Sequence, residues 1–98
     1  MPASSDPPSE ANHTVRLVVL PRSLHARPAG QVTQAAARRQ ATVTLTVGNH
    51  RANARSVLAV MGLGATAHAE VRVEATGPDA AAAADEIARI LTEPEPAT

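Results

Sequence analysis

Residues Ala41–Val47 read Ala-Thr-Val-Thr-Leu-Thr-Val. Strict alternation of this kind makes a strand with one dry face and one wet face. Val43, Leu45 and Val47 point one way; Thr42, Thr44 and Thr46 point the other. A chain holding such a strand must cover one side of a sheet and can leave the other open to water. Gly48-Asn49 follows and suits a two-residue hairpin turn with glycine first. His50–Ala54 is then the short return strand. Ala69–Ala75 alternates again, with Val71 and Val73 inward and Glu70, Arg72 and Glu74 outward. Thr14–Leu20 is rich in β-branched residues and reads as a first strand. Val15, Leu17 and Val19 share one face, and Pro21 ends it.

Between these lie three helical patterns. Arg27–Arg39 places Val32, Ala35, Ala36 and Arg39 on one stripe. Pro28 suits its first turn, where an N–H is not needed, and Arg38 and Arg39 close it against the C-terminal dipole. Ser56–Gly64 opens on a good N-cap and ends in glycines, which predicts a helix of about two turns. Gly77–Leu91 is a last helix, opened by Pro78 and Asp79. Its apolar stripe is Ala80, Ala83, Ala84, Ile87, Ile90 and Leu91. The order strand, helix, strand, strand, helix, strand, helix predicts a two-layer α/β (α+β) sandwich. Three helices lie over one side of a four-stranded antiparallel sheet.

The 98 residues suffice for one domain with one modest core. Residues 1–13 are polar and proline-rich, without an apolar run, and read as a flexible tail rather than a signal peptide. Residues 14–92 form the domain and 93–98 a second tail. Nine arginines balance nine carboxylates, and there is no lysine. An even balance gives no broad pull toward nucleic acid or an anionic membrane. No aromatic residue is present, so bases have nothing to stack on. Without cysteine there is no disulfide and no thiolate site, and a reducing cytosol is compatible. No apolar run is long enough to span a membrane.

Chemistry concentrates in Ser23–Gln31, Ser-Leu-His-Ala-Arg-Pro-Ala-Gly-Gln. His25 falls in the loop between the first strand and the first helix. The leading N–H groups of that helix, at Ala26 and Arg27, have no internal acceptor and favour an anion. Arg27 adds a permanent charge and a fork of donors matched to phosphate oxygens. Pro28 pins the chain. A neutral imidazole is a nucleophile, so His25 is placed to accept a phosphoryl group. A solvated loop histidine beside a surface arginine is the plainer alternative on spacing alone.

Leu24–Ala29, Leu-His-Ala-Arg-Pro-Ala, resembles the active-site motif of HPr, the histidine phosphocarrier of the bacterial phosphoenolpyruvate-dependent sugar phosphotransferase system. Arg55–Ala65 resembles that family's second motif, a serine opening a short helix. His25 and Ser56 are 31 residues apart, which agrees with the family spacing. The resemblance spans roughly Thr14 to Leu91. It implies the HPr-like open-faced sandwich of order βαββαβα, a cytoplasmic monomer without cofactor or metal, and a relay. Enzyme I would phosphorylate His25 at Nδ1, and His25 would pass the group to enzyme IIA for sugar uptake. Such a carrier turns over no substrate alone. Two positions depart from the family: Ser23, where glycine is usual, and Gly30, where serine or threonine is common.

The resemblance assigns further roles. Ser56 matches a position phosphorylated by a dedicated kinase, and reversed by a phosphorylase, in many members; its plainer role is to cap the short helix. Val57, Leu58 and Met61 match the residues that dock partner proteins, with Val57 and Met61 expected to be exposed. Arg22, Arg27 and Arg55 would add positive charge at the rim. His13, His50 and His68 lack metal-ligand spacing and read as surface residues. A regulatory relative, which reports nitrogen or carbon status by binding target proteins, is the competing reading. A plain interaction domain is a third.

Overall fold

The computed structural model describes residues 12–93; the tails assigned to 1–13 and 93–98 lie almost wholly outside the described residues. Seven elements follow in order: β1 (His13–Val19), α1 (Ala26–Ala37), β2 (Thr42–Val47), β3 (His50–Asn53), α2 (Val57–Gly62), β4 (Glu70–Thr76) and α3 (Ala80–Thr92). The four strands form one antiparallel sheet in the order β1-β4-β2-β3. The three helices cover one face, so the architecture is the expected open-faced sandwich.

Alternation in β2 and β4 translates directly into burial. Val43, Leu45, Val71, Val73 and Ala75 are buried and meet the helices. Val43 lies opposite Ala75, and Leu45 opposite Val73 and Ala52. Gly48 takes the left-handed φ of 58° at the first position of the two-residue turn, where a side chain would be strained. Lacking aromatic residues, the core is filled with aliphatic side chains and alanines. Val32 with Ala29, Ala35 and Ala36 is the inner stripe of α1; Ile87 and Leu91 with Ala80, Ala83 and Ala84 is that of α3. Alanine leaves helices free to lie close, and α1 packs on both α3 and α2.

In β1 the register decides which face is buried. Val15, Leu17 and Val19 do share a face, but it is the open face: Leu17 is 62% exposed and Val19 55%. Pairing with β4 decides this. Leu17 lies opposite Arg72 and Val19 opposite Glu70, both on the wet side, whereas Val18 lies opposite the buried Val71. The inward set is therefore Thr14, Arg16, Val18 and Leu20, with Arg16 reaching Asp85 of α3 at 2.8 Å.

Turns are tied across the layers. Gly77 has φ 136°, and a Cβ there would sit 2.8 Å from Ala41 Cα, so the β4–α3 turn crosses the α1–β2 turn at a distance only glycine allows. The Asp79 carboxylate then accepts the amides of Ala41 (2.8 Å) and Gln40 (3.1 Å). Asp79 opens α3 as expected, but its side chain binds the neighbouring turn and not its own helix. α1 starts one residue early, at Ala26, and ends at Ala37. Arg38 and Arg39 follow the helix and both bind Glu86 of α3, with contacts of 2.8 Å from each.

Candidate functional site

The loop from Leu20 to His25 is fixed by bonds to the turn between α2 and β4. Leu20 N–H donates to Ala69 O (3.0 Å), His68 N–H to Leu20 O (2.8 Å) and Leu24 N–H to Ala65 O (3.0 Å). Leu20 and Leu24 are buried and anchor the loop at both ends. Between them Arg22 donates to the Glu93 carbonyl at 3.2 Å. Ser23 shows no left-handed φ; His68 is the sole non-glycine with one among the described residues. Serine at this position is therefore unstrained.

His25 is the N-cap residue of α1, in extended conformation (φ −112°, ψ −165°), and its exposed imidazole makes no capping bond. Its carbonyl accepts the Ala29 N–H at 3.0 Å, which closes the first turn. Pro28, third in the helix, has no N–H, so Ala26 and Arg27 carry the leading helical amides. No acidic residue occupies that turn. Arg27 is exposed one residue past Ala26. An anion attached to the His25 ring thus has amides, a helix dipole and a guanidinium close by in the chain. Gly30 adds no hydroxyl; a Cβ there would meet nothing within 4 Å.

α2 runs beside α1 in the opposite sense. Arg55, just before α2, donates from Nε to Ala36 O (3.3 Å) and from Nη2 to Arg39 O, at the C-terminal end of α1. Ala65, just after α2, meets Leu24 ahead of the N-terminal end. The Arg55 guanidinium, assigned to the rim, is thus held on the α1 carbonyls. Ser56 caps α2, its Oγ accepting the Ala59 N–H at 3.2 Å, and remains exposed. Val60 and Leu63 turn inward, whereas Val57, Leu58 and Met61 are exposed, Leu58 the most at 79%. Met61 lies toward the His25 end of α2, and Ser56 toward the other.

His13, His50 and His68 are all exposed. The His13 Nε2 contacts Glu74 at 2.7 Å and its hydrogen bond lowers the Glu74 pKa, with help from the charge of Arg72. No group of three or more histidines and carboxylates is disposed to hold a metal ion among the described residues, and no helix there is long and apolar enough to cross a membrane.

One feature of charge escaped the composition. From His13 to Ala69 the chain has seven arginines, four histidines and no carboxylate at all. The acids from Glu70 onward neutralise part of this set: Asp85 meets Arg16, and Glu86 meets Arg38 and Arg39. The loops around His25 and the whole of α2 contain no carboxylate. The division runs along the chain and is hidden in the balanced total.

The family model described as "PTS HPr component phosphorylation site" matches residues 13–93. The chain is 40% identical over 68 residues to phosphocarrier protein HPr of Treponema pallidum, covering 69% of this chain and 77% of that one. Among solved structures it is similar to phosphocarrier protein HPr from Bacillus anthracis, with TM-score 0.75, 26% identity, and coverage of 82% of this chain and 98% of that one. It is also similar to the catabolite repression protein Crh of Bacillus subtilis, described as a dimer with a swapped domain. There the TM-score is 0.66, the identity 32%, and the coverage 74% and 83%.

Proposed function

Because the chain belongs to the HPr phosphocarrier family of the phosphotransferase system, we propose that it carries a phosphoryl group on His25 from enzyme I to an enzyme IIA. One observation carries the reading: an exposed, uncapped imidazole stands at the N-terminus of α1, with Arg27 two residues on. In the forward step the lone pair of a His25 ring nitrogen, Nδ1 by family resemblance, forms the new P–N bond. The donor nitrogen recovers the electron pair of the bond that breaks. Both states are phosphohistidines, so little driving force is needed, and position counts for most. Amides of Ala26 and Arg27 and the Arg27 guanidinium receive the phosphoryl oxygens, and Pro28 sets the backbone that presents them. Binding must stay moderate, since a group held equally in all states would not move on.

Partners meet this site over α2. Val57, Leu58 and Met61 supply apolar area, and Arg22 and Arg27 supply charge that steers an acidic surface. Ser56 acts as helix cap, and a phosphate placed there would oppose docking by an acidic partner.

The direct test is labelling with enzyme I and radioactive phosphoenolpyruvate. The expected label is acid-labile and base-stable, is absent in His25→Ala, and moves to enzyme IIA on addition. Arg27→Ala is expected to fold normally and to transfer about tenfold more slowly. Wild-type protein that takes no label from a competent enzyme I would sink the carrier role. The 32% identity to Crh favours a second reading, a regulatory relative that binds target proteins. Label that forms on His25 but never passes to any enzyme IIA of the host would select it.

A further inference from the structure

Strand β1 forms one edge of the sheet and β3 the other. Two bonds flanking the paired segment fix which way the β1 backbone faces. Leu20 N–H donates to Ala69 O (3.0 Å), and Gly77 N–H donates to Asn12 O (2.9 Å). Backbone groups alternate in direction along an antiparallel strand. Even-numbered residues of β1 therefore turn theirs to β4, and Val15, Leu17 and Val19 turn theirs to the free edge. The Val15 carbonyl there accepts Arg16 Nη1 at 3.0 Å. Leu17 and Val19 present N–H and C=O groups with no strand beyond them among the described residues. Their side chains stand exposed on the open face. Natural sheets guard such an edge with proline, lysine or a bulge. β1 has no proline and no lysine, and its register with β4 is unbroken from His13 to Val19. Its arginine, Arg16, is already held by Asp85.

We propose that the β1 edge is a self-association site, where β1 of a second copy pairs antiparallel about a two-fold axis at Leu17. Side-chain pairing selects this occupant and this register. With Leu17 opposite Leu17, Val15 of each copy lies opposite Val19 of the other, so three apolar pairs line one face. On the other face Arg16 lies opposite Val18, and no like charges meet. An axis at Arg16 would oppose two guanidinium groups. An axis at Val18 would set Val15 opposite Pro21, which has no N–H to give. The even balance of charge leaves no net repulsion between copies. Neither copy surrenders its own β1–β4 pairing. α2 packs on α1 and on β3, the far edge of the sheet, so both copies keep α2 uncovered. A strand edge is a small contact, and the dimer is expected to dissociate with a Kd of about 0.1–1 mM. None of this rests on the carrier reading.

Sedimentation equilibrium over a concentration series reads the association. Leu17→Lys sets like charges face to face at the axis and is expected to weaken it at least about tenfold. Leu17 is exposed, so the melting temperature of the dilute protein is expected to stay the same. Leu17→Glu alone is expected to behave likewise. An equimolar mixture of the two variants is expected to associate again as a mixed dimer, the signature of a residue that meets itself. Wild type that stays monomeric well above that Kd range overturns the proposal. So does a dimer that survives Leu17→Lys unweakened, which places the contact elsewhere. So does one that separates only on unfolding, which marks exchanged strands. Labelling of His25 is expected to be equal in wild type and Leu17→Lys, so failure of the carrier reading would leave the association result standing.

Discussion

A methyl group added at Gly30 would occupy open space, and the residue's backbone angles are those of an ordinary helix. Neither a turn nor a close approach requires glycine in the first turns of α1. Gly30→Ala is therefore expected to stabilise the domain by about 0.5–1 kcal/mol, which raises Tm by ~4 °C for a domain of this size. A thermal melt checks it; a fall in Tm would show a constraint that the static structure does not contain. At this scale the sequence was most legible where chemistry is local. His25, Arg27 and Pro28 lie within four residues of one another, and their meaning comes from that spacing. His68 was illegible for the opposite reason. A left-handed φ at a histidine has no sequence signature, and the His68 N–H bonds Leu20 O, 48 positions away in the chain.

Arg55 shows how elements hold one another. Two of its nitrogens reach carbonyls at the close of α1: Nε donates to Ala36 O, which also accepts the Arg39 N–H, and Nη2 donates to Arg39 O just beyond the helix. Arg55→Ala is expected to cost about 1 kcal/mol, read by urea denaturation, with faster amide exchange in the last turn of α1. Unchanged stability with a raised KM for enzyme I would instead assign Arg55 to docking. Element order, the hairpin at Gly48 and the stripes of α1 and α3 were all readable from periodicity. The inner face of β1 was not. Alternation states which residues share a face; both faces of β1 carry aliphatic residues, and the register with β4 chooses between them. The bounds of α1 shifted at both ends, and Arg38 and Arg39 just past it bind Glu86, a partner that no local pattern reveals.

Acid stability belongs to the molecule as a whole, since its carboxylates join distant segments. Hydrogen bonding from Arg39 holds Glu86 below the ordinary glutamate range, against some desolvation, with Arg38 assisting. The His13 contact does the same for Glu74. At Asp79 desolvation raises the pKa, but the Ala41 and Gln40 amides outweigh it and the pKa is lowered. A depressed folded pKa gives stability that is fully present above the unfolded value and is lost as pH falls through the folded one. Stability is thus expected to hold level above the carboxylate range, at about pH 5, and to fall below it. Melting curves across that range check this, and Glu86→Gln is expected to flatten part of the fall. A profile level down to pH 3 would contradict the three linkages.

The division of charge has a consequence for motion. With nine positive and nine negative groups the molecule has no net charge to draw it anywhere. Among the described residues its carboxylates nevertheless lie on β4, on α3 and at the two ends of α3, while α2 carries none, and α1 lies between α2 and α3. Such an object is an electric dipole. In the field of an acidic protein it feels chiefly a torque, which turns the His25 end forward before contact. Added salt, which shortens the reach of that field to ~8 Å at physiological strength, would then slow productive encounter by leaving the molecule to arrive facing the wrong way.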